Sequence, residues 1–231
     1  MTVMYNVSNI RQAFIDLYNY DEYTIDRSGC KTLEILGASF IADEPAIFGK
    51  PNVEYIEKEI DWYDSMSTNI YDIDRYDDPP KAWVPTGNDW GEINSNYGYI
   101  IYSDRFYNQY ENALQELIDN PNSRRATMIY TRPSIWVEAF ENGKNDFICT
   151  NAVSYYIRDN KIHCVVQMRS NDVVFGYKND RAWQLELLKR MCDDYNAQTY
   201  SFLTEDYVQL GDIHWQVQNL HVYERHFKFI K

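Results

Sequence analysis

Apolar positions recur at three- and four-residue intervals in four stretches of the chain, the spacing of a helix with one buried face. Ser8 opens the first as a cap, ahead of Ile10, Ala13, Phe14, Leu17 and Tyr18. The second runs from Asn52 to Ser65, with Ile56, Ile60 and Tyr63 on one face and Glu59 beside them. The third covers Ser103 to Ile118 through Phe106, Tyr107, Tyr110, Leu114 and Leu117. The fourth spans Asn179 to Asp194, with Trp183, Leu187 and Met191 in line. Between them lie runs with the two-residue period or the short apolar length of strands: Lys31–Ala42, Ala126–Tyr130, Asp146–Arg158, Lys161–Arg169 and a last strand from Gly211 that ends in His221-Val222-Tyr223. Asp159-Asn160 joins two of these as a hairpin turn. Asp78-Pro79-Pro80 interrupts a polar segment at about 66–90, read as a loop or insert within a single domain spanning residues 1–231. Helices and strands interleave, so the expected class is α/β (α+β).

Composition narrows the function. A chain of 231 residues can bury a sizeable core, and 21 Tyr and 6 Trp argue against disorder. The formal net charge of −13 is the wrong sign for a duplex nucleic-acid binder, although a few focused arginines can still hold a small phosphate ester. No apolar run reaches the length of a membrane span, and the first twenty residues lack the apolar core of a signal peptide. The expectation is a cytoplasmic protein without membrane contact. Its four cysteines, Cys30, Cys149, Cys164 and Cys192, show no CxxC pair, and no His, Cys, Asp or Glu set has metal-ligand spacing, so free thiols and no metal are expected.

The candidate chemistry gathers where one strand ends. Arg169, Ser170, Asn171 and Asp172 follow an apolar run, Gly176 comes next, and the polar pair Asn179-Asp180 opens the fourth helical pattern. An anion binder with hydrogen-bonding groups at a strand end suits a ligand site, and a solvated charge cluster would read the same way. Arg124-Arg125 is an adjacent pair in an acidic chain; the planar guanidinium fork suits phosphate, and the bland alternative is an exposed pair balancing carboxylates. In a hairpin, Cys149 at the start of one strand and Arg169 at the end of the next come close, which would lower the thiol pKa. Cys30, Cys164 and Cys192 read as small packing residues. Trp83 reads equally as packing.

Taken in order, these motifs resemble the thymidylate synthase family. Asp26-Arg27-Ser28-Gly29, Glu59 ahead of Trp62-Tyr63, Trp83 before Tyr97-Gly98, Asn120-Pro-Asn-Ser-Arg-Arg125, Cys149, Arg169-Ser170-x-Asp172 and His221-x-Tyr223 occur in the family's sequence. The likeness is nearer to the phage branch that hydroxymethylates deoxycytidylate. It implies a mixed sheet with helices on one face and a back-to-back homodimer. It implies 5,10-methylenetetrahydrofolate as cofactor and a nucleotide whose phosphate is held by Arg27, Arg169, Ser170 and, from the partner subunit, by Arg124 and Arg125. Cys149 is the implied nucleophile on C6 of the pyrimidine, and Glu59 orders water and relays protons. His221 and Tyr223 are implied to hold the sugar, and Asp172, Gly176, Trp83 and Tyr97 to line the folate pocket.

Two departures choose within the family. Asp180, eleven positions beyond Arg169, stands where thymidylate synthases carry Asn. An Asn amide matches uracil, whereas a protonated carboxyl donates to cytosine N3 and accepts from its amino group. Mismatch in a buried site discriminates by roughly four to five orders of magnitude. The expected substrate is therefore deoxycytidine monophosphate, with Asp180 protonated on the base and Asn179 as the reader if the register slips by one. The chain also ends eight residues after Tyr223, and Thr150 and Met168 replace the family's His and Gln. A more open site suits water addition, hence a deoxycytidylate 5-hydroxymethyltransferase serving modified phage DNA beside other phage nucleotide-synthesis enzymes. The alternatives are a deoxycytidylate or deoxyuridylate methyltransferase, or a non-catalytic nucleotide-binding relative.

Overall fold

The computed structural model describes residues 5–74, 78–200 and 207–230. The chain divides into two compact units, one formed by residues 1–51 and 155–231, the other by 52–154.

The first unit begins with α1 (Val7–Asn19), whose Val7, Ile10 and Phe14 are buried. Its cap is Asn6 rather than Ser8: Asn6 is extended and exchanges side chain–backbone hydrogen bonds with Asn9, a reciprocal capping box that starts the helix one residue ahead of Ser8. β1 (Thr24–Ile25) and β2 (Lys31–Ile41) are antiparallel neighbours around a turn in which the Asp26 carboxylate accepts from the Ser28 and Cys30 amides. β2 pairs antiparallel with β3 (Gln209–Tyr223), and β3 pairs parallel with β4 (Lys161–Asp172). The parallel pair is joined by α2 (Gly176–Thr199), the crossover that such a pair requires. Ile162, Cys164, Val166 and Met168 of β4 alternate with half-buried or exposed neighbours, and Ile213, Trp215 and Val217 do the same on β3. Tyr177 of α2 meets Trp215 edge to face, so this apolar side carries the helix. The opposite side shows a polar row, Ser39, Gln216 and Gln167, on adjacent strands.

Two boundaries differ from the sequence pattern here. Arg169 to Asp172 lie inside β4, not beyond its end. The following helix starts at Gly176, before Asn179, and continues to Thr199, past Asp194. The Asp172 carboxylate accepts from the amides of Val174 and Phe175, so the chain is already turned into the helix there. Asp159 and Asn160, both at positive φ (51° and 57°), make the expected tight turn before β4.

The second unit is mainly helical. Its helices are α3 (Val53–Asp64), α4 (Tyr97–Tyr102), α5 (Gln109–Asp119) and the short α6 (Ile135–Glu138). Trp62, Tyr63, Ile100, Ile101 and Leu114 form its core. Asn52 caps α3, and the buried positions are Glu59, Trp62 and Tyr63, while Ile56 and Ile60 are half-buried. The inward face is thus turned toward Glu59 from the one the aliphatic spacing predicts. Tyr97-Gly98 opens α4. A Cβ on Gly98 would lie 1.8 Å from the Tyr63 carbonyl oxygen, so glycine is what lets α4 approach α3. The predicted helix 103–118 is broken. Tyr107 and Asn108 adopt left-handed φ (66° and 40°), and Asn108 then caps α5 through the Glu111 amide. Tyr107 is 84% exposed and takes no part in the apolar stripe. β5 (Thr127–Ile129) pairs antiparallel with the first part of β6 (Thr150–Arg158). The strand expected from Asp146 therefore begins at Thr150, because Asp146 is engaged elsewhere.

Candidate functional site

Glu59 is a strongly perturbed group of the second unit. It is 5% exposed, on the inward face of α3. Its Oε1 accepts from the Tyr55 hydroxyl at 2.8 Å, one turn earlier on the same helix, and from the Trp83 indole N–H at 3.1 Å. That indole N–H also lies 3.0 Å from the Tyr55 oxygen. Burial lifts the Glu59 carboxyl from its ordinary range to about 7, and the Tyr55 and Trp83 hydrogen bonds, which favour the charged form, hold it from rising further. A carboxyl poised there both gives and takes a proton at neutral pH. Tyr55 had no sequence signal beyond its place four residues before Glu59. Trp83 packs edge-on against Trp62, and Tyr97 is 4% exposed, stacked on Tyr63 and edge-on to Tyr130.

Cys149 immediately precedes β6 and is half-buried, its Sγ 3.9 Å from the Phe147 carbonyl. The segment leading to it is pinned by Asp146. One carboxylate oxygen accepts from the Asn94 and Ser95 amides at 2.7 and 2.8 Å, and the other from the Ser95 hydroxyl at 2.7 Å. Cys164 and Cys192 are buried, and burial pushes both thiols up, as inert packing residues should be. Cys30 is exposed. Arg124 and Arg125 are both exposed, and Arg125 reaches Glu116 of its own chain at 3.0 Å. A cavity of about 260 Å³ in this unit, lined by Glu92, Arg105, Arg132, Glu138, Glu141 and Lys144 among others, contains none of the expected site residues.

The first unit holds the remaining candidates. Arg169 and Ser170 are half-buried near the end of β4. Asn171, which had been only one of a polar group, is 4% exposed and donates from Nδ2 to Oδ2 of Asp180 at 2.7 Å. Asp180 is half-buried on α2, four residues after Gly176, and Asn179 beside it is turned by about 100°. Asp172 spends one oxygen on the Val174 and Phe175 amides, and its other faces His226 at 3.4 Å. Burial lowers the His226 pKa, against the pull of Asp172. His221 is 8% exposed, opposite Asp172 in the parallel register, with its ring 4.8 Å from that of Tyr223. Arg27 is exposed on the β1–β2 turn.

His163, Asp212 and His214, which no sequence spacing suggested, bring their ligand atoms within 4.8 Å of one another. The parallel register of β3 and β4 creates that cluster. His163 Nδ1 accepts the Asp212 amide N–H at 2.9 Å. The same Nδ1 lies 3.6 Å from an Asp212 carboxylate oxygen, and burial lowers the His214 pKa.

Comparison with known proteins identifies the family. The chain matches the family model described as thymidylate synthase over residues 13–231. It is 50% identical over 209 residues to the deoxycytidylate 5-hydroxymethyltransferase of Enterobacteria phage T4, covering 90% of this chain and 82% of that protein. The phage T6 enzyme of the same name matches equally, at 50% over 209 residues, with the same coverage. A thymidylate synthase from Francisella tularensis subsp. holarctica is 23% identical over 227 residues, 88% of this chain and 75% of its own. The chain belongs to the thymidylate synthase family.

Proposed function

We propose that the protein is a deoxycytidylate 5-hydroxymethyltransferase, converting deoxycytidine monophosphate to its 5-hydroxymethyl derivative. The observation that carries the reading is the 50% identity, over nine-tenths of the chain, to phage enzymes of that name. Asp180, a carboxyl where a uracil reader needs an amide, supports it from the chemistry of the base.

Each residue has a defined task. The Cys149 thiolate adds to C6 of cytosine, and the electron pair moves to C5, which becomes the nucleophile. Protonated Asp180 donates to N3 and accepts from the 4-amino group, drawing charge from the ring as C5 is activated. Glu59, titrating at about 7, holds water and moves protons at C5 and its substituent. Arg27, Arg169 and Ser170 bind the phosphate, and His221 and Tyr223 the deoxyribose. Arg124 and Arg125 serve the partner subunit of a homodimer. Arg125 can change partners at low cost, because its ion pair with Glu116 is solvent-exposed.

The donor set fits a folate. Gly176 lacks a side chain at the start of α2, Asp172 is a carboxylate whose second oxygen faces His226, and Trp83 and Tyr97 are aromatic. These residues would hold 5,10-methylenetetrahydrofolate, which supplies the one-carbon unit when bound.

Tritium release from substrate labelled at C5 tests the assignment. With methylenetetrahydrofolate, wild-type protein should release tritium from the cytosine nucleotide, and the Cys149→Ala variant should bind that nucleotide but release none. Release from the uracil nucleotide in preference would overturn the proposal.

A further inference from the structure

The end of β4 and the first turns of α2 are joined by a side-chain hydrogen bond. Asn171 Nδ2 donates to Asp180 Oδ2 at 2.7 Å. The amide oxygen of Asn171 is buried and has no hydrogen-bond partner among the described residues. Such an acceptor costs free energy in the folded protein, so the side chain is held in place by its Nδ2 bond to Asp180 and by packing. Gly176 completes the arrangement. It lies four residues before Asp180 on the same helix face, and a Cβ there would stand 3.0 Å from Asn171 Nδ2 and 3.6 Å from Asp180 Oδ2. A side chain at 176 would crowd the pair apart.

We propose that Asn171 is a specificity-determining positioning residue: by donating to Oδ2 of Asp180 it fixes that oxygen as an acceptor and leaves Oδ1 to carry the proton that a 4-aminopyrimidine nucleotide requires. The inference rests on Asp180 being the base reader. The chemistry follows from which groups can donate. A neutral carboxyl has one acidic hydrogen and can present it on either oxygen. An amide N–H aimed at Oδ2 excludes the proton from that side. The carboxyl then shows cytosine a donor for N3 and an acceptor for the amino group in one orientation. Uracil, with its hydrogen on N3 and its oxygen at C4, meets the reverse of what it needs on both counts.

Three variants test this through the ratio of kcat/KM for the cytosine over the uracil nucleotide, a quantity in which general losses of folding or rate cancel. Asn171→Ala should lower the ratio at least about tenfold, the scale of one lost buried hydrogen bond. Asn171→Asp is nearly isosteric and donates only while protonated. Its ratio should recover at least about tenfold relative to Asn171→Ala as the pH is lowered from about 8 to 6, because two carboxyls at this distance hold a shared proton well above the ordinary range. A purely structural role for Asn171 predicts no such pH-dependent recovery, and a ratio in Asn171→Asp that tracks Asn171→Ala at every pH would overturn the proposal. Asp180→Asn separates the two layers of the argument. If it collapses the ratio while Asn171→Ala leaves it at the wild-type value, the positioning role is wrong and the base reader stands. If Asp180→Asn itself leaves the ratio unchanged, the reading of Asp180 fails, and the inference with it.

Discussion

At the scale of single residues, Glu59 shows how burial makes chemistry out of an ordinary side chain. Its pKa, raised by burial to about 7, means that the folded protein holds a proton which the unfolded chain loses near 4.5. Stability linked to Glu59 is therefore fully present below the unfolded value. It falls as pH rises through the window from 4.5 to about 7, by about 3 kcal/mol in all. Chemical denaturation of wild type and Glu59→Gln across that window should show the decline in the first and lose this component in the second. Tyr55 and Trp83 stabilise the charged form, so Tyr55→Phe should move the acid limb of the pH–rate profile to higher pH; an unchanged limb would remove Tyr55 from the account. Glu59 was legible in the sequence only through family resemblance, since one glutamate among Glu54, Glu57 and Glu59 carries no mark of burial. Tyr55 and Asn171 were not legible as partners. Their roles depend on which atoms meet across a turn or between a strand and a helix, and spacing alone does not fix that.

At the scale of elements, the strands and the Asn52–Ser65 helix were read closely and the other helix ends less well, for an identifiable reason. Alternating burial runs through most of β4 and the middle of β3, and in β2 from Ala38 to Phe40, because each inward side chain there must reach one apolar layer. Helix ends are set by who takes the orphan amides: Asn6, Asn108 and Asp172 in place of the boundaries that apolar spacing suggests. Two substitutions follow from this. Asn6→Ala should cost about 1 kcal/mol through loss of the capping box, read as a lowered unfolding midpoint. Gly98→Ala should cost more, roughly 3 kcal/mol or above, since its methyl group would overlap the Tyr63 carbonyl 1.8 Å away and force α3 from α4. A Gly98→Ala protein of wild-type stability would show that those helices do not pack as described. Asp146, buried and holding the Asn94–Ser95 segment by three hydrogen bonds, explains why the strand starts only after Cys149.

At the scale of the whole molecule, the charge of −13 and the exposed arginines pose one problem. An acidic protein repels a nucleotide phosphate at long range, so local guanidinium groups must hold it, and two of the proposed ones, Arg124 and Arg125, are assigned to the partner subunit. Mixing Cys149→Ala protomers with protomers lacking both arginines should then restore turnover, because one hybrid site is intact; continued inactivity after subunit exchange would contradict the shared site. The central claim is the identity of the product, and mass spectrometry of the reaction of purified protein with deoxycytidine monophosphate and 5,10-methylenetetrahydrofolate tests it most directly. The account predicts a gain of one CH2O unit on the cytosine nucleotide and none on deoxyuridine monophosphate run beside it. A gain of CH2, or modification of the uracil nucleotide in preference, would contradict it.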